Sequence, residues 1–263
     1  MALPPRLPPE LERHIFELLA YREPLSIPTL ILVAWRGPEV VMLQNETRSY
    51  PYPDIFSRIK ATPPIVQQKT VHHLFLDRIA PDVVENLIST CDAVEDLWII
   101  LEHGHRVGIV EFAGHLALRR LHCVANELFG TQTYDFTLPM FARLTHLELF
   151  GSDADRGPEW VGLATIPRLT HLAFSGLTLL RVAGTLLRTS SSLQVLIFLS
   201  HKLGAVYRVT ELEVLTQDAR FVKMGYKDHV EDWKAGALGG SDHWSRAEEF
   251  VAMRLSGHGY PSQ

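Results

Sequence analysis

The chain has 263 residues, 46% of them hydrophobic and 21% charged, with a net charge of −5. That is enough apolar material for one large folded body and too much for a disordered chain. No basic run or stripe stands out, which argues against nucleic acid as a partner, and the longest apolar run, around Leu30 to Trp35, is far too short for a membrane span. Two cysteines do not make a disulfide framework and fit a reducing compartment. The proline-rich opening Met1-Ala-Leu-Pro-Pro does not read as a signal peptide, so a cytoplasmic or nuclear protein is expected.

Taken in chain order, the first periodic stretch is Leu7-Pro-Pro-Glu-Leu-Glu-Arg-His-Ile-Phe-Glu-Leu-Leu. Leu11, Ile15, Leu18 and Leu19 recur at helical spacing, which predicts a helix over 8–20. Pro24 ends it, and a second helix is predicted over 29–36, stopped by Gly37-Pro38. Leu7, Pro8, Glu10, Leu11, Ile15 and Phe16 resemble the opening of an F-box, and Leu32, Val33, Trp35 and Arg36 resemble its close. The family's second helix usually runs on through an aromatic-rich segment, whereas Gly37-Pro38 interrupts it here. The plainer reading of the same residues is an N-terminal cap that covers an open sheet edge. Residues 37–70 read as an irregular linker, extended at Tyr50-Pro-Tyr-Pro53, with a short helix near Ile55 to Lys60.

From residue 71 one phrase repeats. Val71-His-His-Leu74-Phe-Leu76, Val94-Glu-Asp-Leu97-Trp-Ile99, Leu118-Arg-Arg-Leu121-His-Cys123, Leu144-Thr-His-Leu147-Glu-Leu149, Leu169-Thr-His-Leu172-Ala-Phe174 and Leu193-Gln-Val-Leu196-Ile-Phe198 share the spelling L-x-x-L-x-L with apolar replacements. The central positions 74, 97, 121, 147, 172 and 196 are separated by steps of 23, 24, 26, 25 and 24. This is the pattern of a leucine-rich repeat, in which each short strand and its return segment form one coil that must stack on the next to bury its face. A weaker seventh match, Ala219-x-x-Val222-x-Met224, places Val222 in line with Leu196. Return helices are predicted after Asp82 (as N-cap), from Val107 to Leu116, from Leu179 to Arg188 and from Val209 to Leu215; Ser152 to Pro158 reads as a polar loop. Two closing helices, Asp228 to Lys234 and Asp242 to Arg254, are expected to cap the last coil.

An F-box-like start followed by leucine-rich repeats, with Val230-Glu-Asp-Trp233, Gly239-Gly240 and Trp244-x-Arg246-Ala247 near the end, is similar to a large fungal family of F-box-like proteins. The expected fold is therefore α/β: a leucine-rich-repeat solenoid with a parallel sheet of six or seven strands, N-terminal F-box-like helices and a C-terminal helical cap. The expected divisions are 1–58 for the F-box-like segment and linker, 59–225 for the solenoid and 226–263 for the cap. The resemblance implies a non-enzymatic substrate receptor of an SCF-type ubiquitin ligase. A Skp-type adaptor would dock on Leu7, Pro8, Leu11, Ile15 and Phe16, and the repeats would hold an unknown protein target. The alternative is a plain leucine-rich-repeat binding module.

Strand alternation sets the candidate target site. If the repeat leucines are core, the intervening residues form two ladders on the other face. One is His73, Asp96, Arg120, His146, His171 and Val195; the other is Phe75, Trp98, His122, Glu148, Ala173 and Ile197. The proposed target-binding residues are His73, Phe75, Asp96, Trp98, Arg120, His122, His146, Glu148 and His171, since aromatic anchors beside Arg and Asp are the composition of interface hot spots. Asp96 and Arg120 are expected to pair, and protonation of His146 and His171 to weaken binding. Thirteen histidines invite a metal. Of the candidates His72-His73, His103-Gly-His105 and His243, the first pair points to opposite faces and the second has only Glu102 beside it; with no C-x-x-C or H-E-x-x-H present, solvated histidines and no metal or cofactor are expected. No nucleophile elbow, glycine-rich phosphate loop or cysteine flanked by a histidine at the end of a helix is present, and no enzyme is expected.

Overall fold

The computed structural model describes residues 30–35, 42–43, 46–47, 71–79, 81–101, 108–130, 132–151, 154–200, 214–225 and 228–256. The helix expected over 8–20, with Leu7, Pro8, Leu11, Ile15 and Phe16, lies outside them, as do His103 and His105. Strands β1 (Leu30–Trp35), β4 (Val71–Ile79), β5 (Asp96–Leu101), β6 (Arg120–Val124), β7 (His146–Phe150), β8 (His171–Phe174), β9 (Val195–Ser200) and β10 (Phe221–Gly225) form one sheet in chain order. A two-residue pair, β2 (Met42–Leu43) and β3 (Glu46–Thr47), stands apart from it and is antiparallel. Every pairing in the main sheet is parallel. Parallel neighbours need a crossover between them. Among the described residues the crossovers include α1 (Pro81–Thr90), α2 (Ile109–Ala113), α3 (Ala125–Leu128), α4 (Leu177–Thr189) and the 3-10 segments Pro139–Phe141 and Ala154–Thr165.

The repeat spelling is the register of the sheet. Leu74 pairs with Leu97, Leu97 with Leu121, Leu121 with Leu147, Leu147 with Leu172 and Leu172 with Leu196. All six are buried, together with Leu76, Ile99, Cys123, Leu149, Phe174 and Phe198 two residues on. They share one core with Val84, Leu87 and Ile88 of α1, Leu179, Leu180 and Ala183 of α4, and Trp160 of the second 3-10 segment. This is the core face. The second face is closed by α5 (His229–Ala237) and α6 (His243–Leu255), so the sheet lies between two layers. Among the described residues no helix is long and apolar enough to cross a membrane.

Several expectations are corrected. Residues Leu30–Trp35 are a strand, not a helix, and pair with β4 so that Leu32 meets Leu74. An apolar run of six between Pro28 and Gly37 carries no decisive period; its shortness and the β-branched Ile31 and Val33 suit a strand. The seventh strand is one residue out of the expected register: Phe221, not Val222, pairs with Leu196. A one-residue slip exchanges faces, so Phe221 enters the main core while Val222 and Met224 pack on the α6 side. The first return helix begins at Pro81, which places Asp82 inside its first turn rather than at its cap. Proline suits that position because its missing N–H would have no partner there. The 3-10 segment Ala154–Thr165 includes part of the expected polar loop.

Leu147 is fully buried at the middle of the leucine row. Leu147→Ala should destabilise the fold by about 2 to 5 kcal/mol, measured by urea unfolding. The same change at exposed Leu255 should cost little.

Candidate functional site

The two ladders read from the sequence are in register across the sheet. His73 pairs with Asp96, Asp96 with Arg120, Arg120 with His146, His146 with His171 and His171 with Val195. Phe75, Trp98, His122, Glu148, Ala173 and Ile197 line up in the same way. The expectation that this face is open is wrong. Phe75, Asp96, Trp98, His122, Glu148 and His171 are all buried, and His73, Arg120 and His146 are half-buried. The chain's own C-terminal helices lie across the face, and α6 packs on the last two strands, β9 and β10, as well.

The sequence of these helices explains their position. Helix α5 turns Val230 and Trp233 to the sheet, and α6 turns His243, Trp244, Ala247 and Val251 to it. Both have side-chain caps: Asp228 accepts from the amides of Val230 and Glu231, and Asp242 exchanges reciprocal bonds with Ser245. Gly236 is required by close approach, because a Cβ there would lie 2.3 Å from Asp242 Oδ2. Phe75 and Trp98 stack on each other with centroids 4.1 Å apart, and Trp233 closes over Phe75 at 5.2 Å. Farther along, His146 and His171 stack at 4.1 Å, and Trp244 meets His146 edge-on at 5.1 Å.

Polar groups on the ladders find partners in the helices. Trp233 Nε1 donates to Asp96 Oδ1 at 3.1 Å, and His73 Nδ1 lies 3.2 Å from Asp96 Oδ2. Arg120 donates to Asp242 at 3.2 Å instead of forming the expected pair with Asp96. His171 Nε2 and Glu248 Oε1 are 3.0 Å apart. At the centre, His122 Nδ1 is 2.7 Å from Glu148 Oε2, His243 Nε2 is 3.6 Å from the same oxygen, and His243 Nδ1 is 3.0 Å from Asp232 Oδ2. Arg246 donates to Asp232 Oδ1 at 2.7 Å. His243 is therefore a buried member of a network, not the solvated histidine expected of it. Among the described residues, His122, Glu148 and His243 form a group whose potential metal-ligand atoms all lie within 4.8 Å. A cavity of about 20 Å³ adjoins them, room for one water-sized species and too little for an organic substrate.

The burial sets unusual proton affinities. Burial raises the Asp96 carboxyl, but the His73 hydrogen bond and the charges of His122, His73 and Arg120 bring it below its usual value. Burial likewise works against the Asp232 carboxylate and is outweighed by His243 and Arg246, leaving its pKa well below the ordinary range. Burial would lower His243, yet Glu148 and the Asp232 hydrogen bond hold it above the free value. Its contribution to stability is thus present below the free histidine pKa and lost as pH rises through the raised value. His146 goes the other way: burial, then His171 and Arg120, push it down to about 2. His171 is lowered chiefly by burial, against the pull of Glu248.

Fold and site together define an α/β protein with a single parallel sheet whose second face is closed by its own C-terminus. No family model, curated protein or solved structure matches the chain.

The ladders are legible in the sequence, and so is a sign of their cover. The signal was present: Val195, Ala173 and Ile197 make the ladders apolar toward the C-terminal end, and β9 is buried on both faces. Near-continuous apolar runs belong to parallel strands covered on both sides.

His146 is neutral in the folded protein and gains a proton in the unfolded chain below about pH 6.5. The unfolded state binds more protons there, so this contribution is present above that pH and lost as pH falls, by up to about 1.4 kcal/mol per pH unit. Urea midpoints should fall between about pH 6.5 and about pH 5, and His146→Asn should make the fall shallower.

Proposed function

We propose that the chain is a non-enzymatic protein-interaction module of the leucine-rich-repeat type, serving as a substrate receptor of an SCF-type ubiquitin ligase. The observation that supports the repeat reading is the row of six leucines, each in register with the next across parallel strands. One strand per step of 23 to 26 residues is what a stacked coil of this class requires. Recruitment rests on the resemblance of Leu7, Pro8, Glu10, Leu11, Ile15 and Phe16 to an F-box opening. In this reading Leu7, Pro8, Leu11, Ile15 and Phe16 meet a Skp-type adaptor, and the F-box-like part is confined to the residues before β1. The target meets the partly exposed rim of the ladders, where His73, Arg120 and His146 lie, because Phe75, Trp98, His122, Glu148 and His171 are covered.

A second reading has one observation in its favour. Strand β1 lies along β4 and extends the sheet at its N-terminal edge. That gives the segment a structural part in the sheet itself, a part that needs no adaptor. The protein is then a plain leucine-rich-repeat binding module.

Co-purification with a Skp-type adaptor separates the two. The native chain should capture the adaptor, and a Leu11→Asp, Ile15→Asp double variant with an unchanged circular-dichroism spectrum should lose it. Failure of the native chain to capture the adaptor removes the receptor reading and leaves the module.

A further inference from the structure

The centre of the covered face holds groups brought together from three separate places in the chain. His122 comes from β6, Glu148 from β7 and His243 from the first turn of α6. His243 Nε2 is buried and has no hydrogen-bond partner, although it points to within 3.6 Å of Glu148 Oε2. An imidazole nitrogen removed from water without a partner is costly, and such a group asks for an explanation. The distance is too long for a direct hydrogen bond. An ion bound there would give His243 Nε2 the partner it lacks.

We propose that His122, Glu148 and His243 form a binding site for one divalent transition-metal ion, Zn2+ by its ligand class, which fastens α6 to the sheet. Two imidazoles and a carboxylate are a zinc ligand set, and a water in the fourth position completes a tetrahedron. The adjoining cavity of about 20 Å³ has room for that water. The facing atoms already lie within 4.8 Å of one another, so small side-chain movements bring them to bonding distance.

The surroundings provide the second requirement of a metal site, a layer that orients the ligands. A ligating histidine commonly directs its other ring nitrogen at a carboxylate. His243 Nδ1 does so toward Asp232 at 3.0 Å, and Arg246 holds Asp232 in place. His122 Nε2 lies 3.7 Å from Asp96 Oδ1, which Trp233 Nε1 also holds. Asp232 and Trp233 both belong to α5, so both closing helices contribute to the arrangement. Two buried or nearly buried carboxylates behind Glu148 also favour a dication at the centre.

The test uses the 263-residue chain without a polyhistidine tag, stripped with a chelator and titrated with Co2+ and then Zn2+. One equivalent of Co2+ should give the visible absorption of a four- or five-coordinate ion, Zn2+ should displace it, and Zn2+ should raise the thermal midpoint. His243→Gln and Glu148→Gln should each abolish the one-equivalent signal, while His115→Gln, at an exposed histidine, should leave it unchanged. Asp232→Asn, which changes only the orienting carboxylate, should weaken affinity by about 10- to 100-fold. Circular dichroism identifies any variant that has failed to fold, and the native chain's own titration remains decisive. If the native chain takes up neither ion, the proposal is overturned and the cluster is a buried ion pair only. If Glu148→Gln and His243→Gln both fold and retain the ion, it is equally overturned, because the ion then sits elsewhere.

Discussion

The row of leucines at 74, 97, 121, 147, 172 and 196 is the constraint on which the rest depends. Each pairs with the next at the same height in parallel strands, and each is excluded from solvent. Because side chains alternate strictly along a strand, this row also fixes what stands on the opposite face. A shift of one residue in one strand would turn its leucine toward the layer of α5 and α6 and carry the polar group beside it into the apolar core. The last strand shows the rule at work. There Phe221 continues the row, and Val222 turns to the other layer, where Val195, Ile197 and Trp244 are packed.

The second face poses a harder physical problem than the first. It carries Asp96, His122, Glu148 and His171, each buried, together with the partly buried Arg120, His73 and His146. Polar and charged groups removed from water are stable only when paired. The C-terminal helices provide the pairing: Trp233 to Asp96, Asp242 to Arg120, Glu248 to His171 and His243 toward Glu148. Trp98, Phe75 and Trp244 exclude water between these contacts. Removing one partner would leave a buried charge alone and destabilise the arrangement.

A face that looks like an interface by composition is one already, between the sheet and helices of the same chain. Aromatic and charged residues favour association whether the partner comes from the same chain or another. What remains accessible to a separate partner along the ladders is their partly exposed rim, at His73, Arg120 and His146.

The local spelling of the chain was sufficient for the strands from residue 71 onward, their parallel order, the core leucines and the membership of both ladders. Those properties follow from a period of 23 to 26 residues and from alternation within each repeat, and both are short-range patterns. Two ambiguities were also local: the six-residue run of β1, which has no decisive period, and the one-residue slip at Phe221. Only the tertiary structure decided that α5 and α6 cover the ladders, that Arg120 pairs with Asp242 rather than Asp96, and that His243 joins His122 and Glu148. Partners such as Arg120 and Asp242 lie 122 residues apart. No periodicity encodes a contact of that span, because it depends on where the chain's last helices find apolar surface to bury and charges to neutralise.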